Sequence, residues 1–236
     1  MVDISVLIPC YNCSLMLPRA VASVLSQGVD YQIVLIDDCS TDGITRQLIE
    51  EYADEHDCVT PVFRKTNGRI AAALNSGAEV ATGKYIIRLD SDDWFEVGAL
   101  ERLRAALDAN PVGFVYGGRK YYGRRSDVYM PKPYSKQAFY LHNASGYAYM
   151  FRRGYLDNGL RWEALGEFGG AIIDLEDWQF VLKLIAAGAD GLALTDTLVL
   201  HYTFRWGGTW QELQNNKGAA LTVLKTRYPE VMAVDL

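Results

Sequence analysis

The sequence predicts an α/β protein: a mostly parallel central sheet flanked by helices, with a smaller antiparallel sheet in the second half of the chain. Three observations carry that expectation. Apolar runs of strand length alternate with stretches of helical period as far as Pro111, the pattern of repeated strand–helix–strand units. Polar clusters follow three of those runs, at residues 10–13, 37–42 and 90–93, and in parallel sheets ligands bind outside the carboxyl ends of the strands. Beyond Pro111 the strand-like runs shorten, as the arms of hairpins do.

Residues 4–9 form the first apolar run and read as a central strand. Leu17, Val21, Val24 and Leu25 then recur at helical spacing, with Pro18 near the helix start, where a missing N–H does no harm. Residues 31–36 make the second strand. The helix after it, marked by Ile44, Leu48, Ile49 and Tyr52, is open to capping by Thr41 or Asp42. A shorter third strand spans 59–63. After the Asn67-Gly68 turn comes a small-residue helix, marked by Ile70, Leu74, Gly77, Ala78 and Ala81, that stops at Gly83. The fourth strand covers 85–89.

Residues 112–118 extend the sheet, and 120–122 and 127–130 read as the arms of a hairpin. Residues 134–149, rich in Tyr, Ser, Asn and Gly, suit a pocket wall. A strand over 147–152 and a helix over 176–187, with the apolar stripe Phe180, Val181, Leu184 and Ile185, come next. A strand near 192–194, a loop over 201–208 and a helix over 210–228 complete the chain. With no internal repeat or linker, the expectation is one domain, 1–236, in two halves, 1–111 and 112–236.

Half of the 236 residues are hydrophobic, which supports a sizeable core and argues against general disorder. The formal net charge is −6 and Lys and Arg form no run, which argues against a nucleic-acid or polybasic membrane surface. An anionic ligand would have to be met locally, by a metal or a few placed cations. No apolar stretch approaches transmembrane length, and the N-terminus leads into a strand instead of a signal-peptide pattern. Cys10 and Cys13 have a Cys-x-x-Cys spacing, but Cys39 and Cys58 supply no second pair. The expectation is reduced thiols in a cytoplasmic protein, with loose attachment to a membrane left open.

Three carboxylates within four residues, Asp90, Asp92 and Asp93, end the fourth strand. Closely spaced carboxylates repel, and partial burial worsens the repulsion. A divalent cation removes that objection, and hard oxygen ligands suit Mg²⁺ or Mn²⁺. The plainer alternative is a solvated loop capping the next helix.

Five separated blocks then carry a resemblance: Ser5-Val-Leu-Ile-Pro-Cys-Tyr-Asn12; Val34-Leu-Ile-Asp-Asp-Cys-Ser-Thr-Asp42; Asn67-Gly with Leu74-Asn-Ser-Gly77; Ala81-Thr-Gly-Lys-Tyr-Ile-Ile-Arg-Leu-Asp-Ser-Asp-Asp93; and Glu176-Asp-Trp178. In order and spacing the chain resembles family 2 glycosyltransferases of the GT-A fold over most of residues 1–185. The resemblance implies a Rossmann-like domain whose first half binds a nucleotide-diphosphosugar and whose second half binds the acceptor. It further implies a Mn²⁺ or Mg²⁺ cofactor and transfer with inversion to a hydroxyl of a glycan, a lipid-linked or another acceptor. A UDP-sugar is the expected donor, and dTDP, whose base presents the same N3–H, stays open. Two departures stand out: the family often has Arg before the Asn of the third block, where this chain has Leu74, and the last sixth of the chain matches only loosely.

By that resemblance Asp38 would accept a hydrogen bond from a uracil N3–H, with helix capping as its alternative. Pro9 and Tyr11 would line the base pocket. Arg69 would reach the base or diphosphate, or stand as a solvated surface cation. Among the acids, Asp92 ranks first for the metal, with Asp90, which also suits the ribose, and Asp93 behind it. His201 and Arg205 would approach the metal or diphosphate from the C-terminal side, a structural histidine being the alternative. Glu176 and Trp178 would contact substrate, Trp178 by stacking on a sugar face.

Inverting transfer needs one general base, and Asp177 is the candidate. From Asp177 the next positions on the same helix face are Val181 and Leu184, so its carboxylate is aimed with apolar residues and away from solvent. The helix N-terminus lowers its pKa, while burial beside Trp178 and the charge of Glu176 raise it; a plain helix cap is the alternative. Two other functional classes compete. A sugar-phosphate nucleotidyltransferase would need a glycine-rich, basic N-terminal loop, and residues 9–14 have neither feature. A non-catalytic sugar-nucleotide-binding module predicts loss of the Asp-x-Asp or the Glu-Asp pair, and both are present.

Overall fold

In the computed structural model, residues 2–164, 166–168, 171–173, 175–204, 218 and 221–229 are described, and the strand–helix alternation of the first half is present. The strands β1 (Ile4–Cys10), β2 (Tyr31–Asp37), β3 (Val59–Phe63) and β4 (Tyr85–Arg88) alternate with the helices α1 (Leu17–Leu25), α2 (Thr45–Glu55) and α3 (Arg69–Val80). β1 lies between β2 and β4, and β3 flanks β2, all in parallel. Side chains along β1 and β2 are buried on both faces: Leu7, Val34 and Ile36 join one core cluster, and Val6, Ile8, Ile33 and Leu35 join the other. That is why these strands read as continuous apolar runs. Gly77 belongs to α3, and a Cβ there would lie 2.6 Å from Ile36 Cδ1, so the glycine lets the helix settle onto β2.

The short β5 (Trp94–Phe95) and the helix α4 (Ala99–Ala109) follow the carboxylates. α4 is not among the expected elements, although its buried stripe of Leu100, Leu103 and Leu107 has helical spacing. Next come β6 (Phe114–Gly123), β7 (Val128–Tyr129), α5 (Lys136–Leu141), β8 (Tyr149–Arg152) and α6 (Gly154–Asp157). A separate pair, β9 (Gly166–Phe168) and β10 (Ala171–Ile173), precedes α7 (Glu176–Ala186) and β11 (Gly191–Phe204). The main sheet runs β3-β2-β1-β4-β8-β6-β11-β5, with β7 beside β6. β8 is antiparallel to both β4 and β6, whereas β11 runs parallel to β6.

Two expectations are corrected here. Residues 120–122 are the end of the ten-residue β6 and not a separate arm, although the hairpin partner β7 is as expected. Residues 201–204 are strand and not loop, because β11 continues through a bulge near Leu198 to pair with β6 as far as Gly123. Of the expected last helix, residues 221–227 are helical. Among the described residues no helix is long and apolar enough to cross a membrane.

Candidate active site

The polar clusters after β1 and β2 are tied to each other. Asn12 Oδ1 accepts from the Thr41 and Asp42 N–H groups at 2.7 and 3.1 Å, and the Asn12 N–H donates to Ser40 Oγ at 3.0 Å. Asp42, one of the two expected caps, accepts from the Ile44 and Thr45 N–H groups and from the Thr45 hydroxyl, bonds that hold its pKa below the usual carboxylate value. Asp38 is therefore not the cap. Its buried carboxylate accepts from Arg64 Nε at 2.6 Å and from the Gly68 N–H at 3.0 Å, which links the end of β2 to the Asn67-Gly68 turn. Pro9 is half-buried on β1, Tyr11 is 48% exposed, and Arg69 begins α3 with its N–H bonded to Asn67 Oδ1.

Backbone strain gathers around the same place. Among the described residues the non-glycine positions with positive φ are Asn12 (49°), Cys39 (63°), Arg69 (63°) and Leu175 (44°). Asn12, Cys39 and Leu175 lie in loops and Arg69 at the start of α3, each at or beside a candidate residue. Such conformations cost about 1–3 kcal/mol each and persist where surrounding structure enforces them, commonly at functional sites.

At the end of β4, oxygens of Asp90, Asp92 and Asp93 lie within 4.8 Å of one another. Arg88 holds Asp90 through both oxygens, at 2.6 and 3.0 Å. Asp93 is buried, accepting from Tyr147 Oη and from the Thr203 N–H of β11. Burial first, then the charges of Asp92 and Asp90, push its pKa up to about 8. One guanidinium does not neutralise three crowded carboxylates, so the donor set fits a hard divalent cation.

His201 does not join this group. Its ring stacks on Trp94 with centroids 5.0 Å apart, Nδ1 meets Tyr122 Oη at 3.1 Å, and Nε2 meets Glu96 Oε2 at 3.0 Å. Both ring nitrogens of His201 are thus engaged, by Tyr122 and Glu96. Arg205 lies outside the described residues.

The start of α7 brings the second half of the chain to the same rim. Arg88 reaches past Asp90 to bond Glu176 at 2.6 Å, both partners being buried, so one guanidinium joins the strand-end acids to the helix. Burial raises the Glu176 carboxyl to about 7 against the pull of Arg88. Asp177 Oδ2 accepts from Asn143 Nδ2 at 2.8 Å, and Oδ1 accepts from the Trp178 N–H at 2.7 Å. Its pKa is raised: burial outweighs Arg88 and the hydrogen bonds, which decides the competition left open by the sequence. Trp178 is a buried core residue whose indole N–H donates to the Phe139 carbonyl, and it presents only part of its surface to the cavity described next.

That cavity, of about 270 Å³, has Asp177, Trp178, Asn143, Tyr147, Tyr202 and Arg119 among its lining residues. Tyr147 also donates to Asp93, so cavity and carboxylate cluster share a wall. Arg88, Asn143 and Arg119 were not singled out from sequence. Arg88 is marked only as the one charged residue within the apolar run 85–89, and nothing local marks Asn143 or Arg119.

Residues 5–166 match the family model of glycosyl transferase family 2. The chain belongs to that family, and its fold is the GT-A fold. Among relatives, it is 39% identical over 107 residues to the putative glycosyltransferase EpsE of Bacillus subtilis, covering 44% of this chain and 38% of EpsE. Two solved structures share the fold. One is TarS 1-349 of S. aureus in complex with UDP-GlcNAc (TM-score 0.74, 19% identity, 98% of this chain and 70% of that one). The other is the mannosyltransferase PcManGT of Pyrobaculum calidifontis with GDP-Man and Mn²⁺ (TM-score 0.64, 18% identity, 96% and 66%). The chain spans less than half the length of the curated relatives it matches.

Proposed function

We propose that the chain catalyses inverting transfer of a sugar from a nucleotide-diphosphosugar, most simply a UDP-sugar, to an acceptor hydroxyl. One observation carries the reading: a carboxylate cluster suited to a divalent cation lies behind Tyr147, a wall of the cavity that the half-buried acid Asp177 also lines, and one arginine bonds both Asp90 of the cluster and Glu176, the neighbour of Asp177. The nucleotide-sugar ligands named for TarS and for the mannosyltransferase, the latter with Mn²⁺, support the donor class and the metal.

In this reading Asp38 accepts the N3–H of uracil through a lone pair not used by its Arg64 and Gly68 contacts, with Pro9 and Tyr11 beside the base. Asp92, with Asp90 and Asp93, would hold Mn²⁺ or Mg²⁺. A cation bound there supplies charge neutralisation for the departing nucleoside diphosphate. Asp177 takes the proton of the acceptor hydroxyl as that oxygen attacks the anomeric carbon, and the bond to the diphosphate breaks on the opposite face. Its raised pKa brings it closer to the operating pH, as a general base requires. Asn143 and the Trp178 N–H fix its two oxygens.

Calorimetry of UDP and CDP binding, with Mn²⁺ and with EDTA, tests this reading. UDP should bind only with Mn²⁺ and more tightly than CDP, and Asp92→Asn should abolish the metal-dependent part. Equal affinity in EDTA would sink the metal role, and equal affinity for the two nucleotides would remove Asp38 from base recognition.

A further inference from the structure

The cavity beside Asp177 holds a cation that the proposed chemistry does not use. Arg119 lies on β6, lines the cavity, and is fixed in place: its Nε donates to Tyr121 Oη at 2.6 Å and its guanidinium lies 4.4 Å from the centre of the Tyr129 ring. Among the described residues no carboxylate pairs with it, and its buried Nη1 has no acceptor. A buried guanidinium N–H left unbonded is costly, and an arginine held in one orientation without an acid presents a planar fork to an incoming anion. Gly146, at φ 64°, keeps that fork uncrowded, since a Cβ there would lie 2.7 Å from Arg119 Nη1.

We propose that this cavity recognises a sugar bearing a carboxylate, with Arg119 pairing to the carboxylate. The inference rests on the glycosyltransfer reading for the identity of the ligand as a sugar. About 270 Å³ is near the lower end of small-molecule sites, which run from roughly 300 to 1,000 Å³, so the space suits a sugar residue. Its walls include the rings of Tyr121 and Phe204, on which a sugar's C–H faces can pack. Charge balance favours a monoanion. Arg125, the other arginine of the lining, is already paired with Asp127, and Asp177, which also lines the cavity, would repel a dianionic phosphate more strongly than a monoanion.

Calorimetry on the intact chain separates the sources of such a group. Binding of 4-nitrophenyl glucuronide and glucoside, each with and without UDP and Mn²⁺, reads the acceptor. UDP-glucuronate against UDP-glucose, with Mn²⁺, reads the donor. The carboxylated member of one pair should bind roughly tenfold more tightly, and Arg119→Gln should bring the pair within about twofold while leaving UDP affinity unchanged. Equal binding within both pairs overturns the proposal, as does a preference that survives Arg119→Gln. Loss of UDP affinity in Arg119→Gln also overturns it, since the arginine would then serve the diphosphate. If Arg119→Gln fails to fold, Arg119→Met makes the same comparison, because it keeps an apolar stem and loses both the charge and the fork. Should UDP itself not bind with Mn²⁺, the donor reading fails, while the glycoside pair without nucleotide still decides the role of Arg119.

Discussion

Asp177 sits where two opposing effects meet, at a helix N-terminus that favours its anion and in a half-buried wall that disfavours it, and burial wins. Each oxygen has one fixed donor, Asn143 Nδ2 or the Trp178 N–H, which leaves lone pairs for an acceptor hydroxyl. Asp177→Asn keeps size and shape but removes the basic oxygen. Turnover should fall by ~10²-fold or more, as loss of a positioned base does, while UDP binding with Mn²⁺ stays close to wild type. Initial rates beside calorimetry check this. A variant that binds UDP and turns over at nearly the parent rate would take Asp177 out of the mechanism.

At the scale of elements, the junction of β4 with α7 is held by one buried guanidinium between Asp90 and Glu176. Burial is severe enough that breaking the set by removing one member is far worse than replacing the set. Arg88→Ala leaves Glu176 and Asp90 without their shared partner, and should cost about 3–5 kcal/mol. Adding Glu176→Gln to Arg88→Ala should recover a substantial part of that loss. Urea unfolding of the two variants tests the pair; an Arg88→Ala protein as stable as the parent would show that the junction rests on packing alone. Leu74, at the position where related sequences often have Arg, is a fully buried core residue of α3, and Asn75 beside it bonds the backbone of Trp162 through both amide atoms.

Across the whole molecule the clustered acids should govern how stability varies with pH. Asp93 and Glu176 keep their protons to about 8 and about 7 in the folded chain, whereas in the unfolded chain they release them near pH ~4. Between those limits the folded state binds more protons, so stability falls as pH rises. In EDTA the melting temperature should therefore be higher at pH 6 than at pH 8. Mn²⁺, which favours the charged carboxylates, should flatten the difference, and so should Asp93→Asn. Differential scanning fluorimetry in both buffers measures it, and an EDTA profile that is level or rising over this range would contradict the assignment.

Much of this arrangement was determined by sequence alone, because it follows from local period and topology. The apolar runs β1 to β4, the helices between them, and the gathering of residues 10–13, 37–42 and 90–93 on one rim require only that parallel strands present their carboxyl ends together. The inward aim of Asp177 follows from its spacing to Val181 and Leu184, which are both fully buried. Tertiary structure alone decided what each charge meets. Arg88 finds Glu176 across 88 positions, Asn143 reaches Asp177, and Arg119 is left facing a cavity. The run at 201–204 becomes strand because β6 extends beside it, which locks His201 between Trp94, Tyr122 and Glu96. Local sequence sets which way a side chain points, but its partner depends on the register and packing of elements far apart in the chain, and no periodicity encodes that.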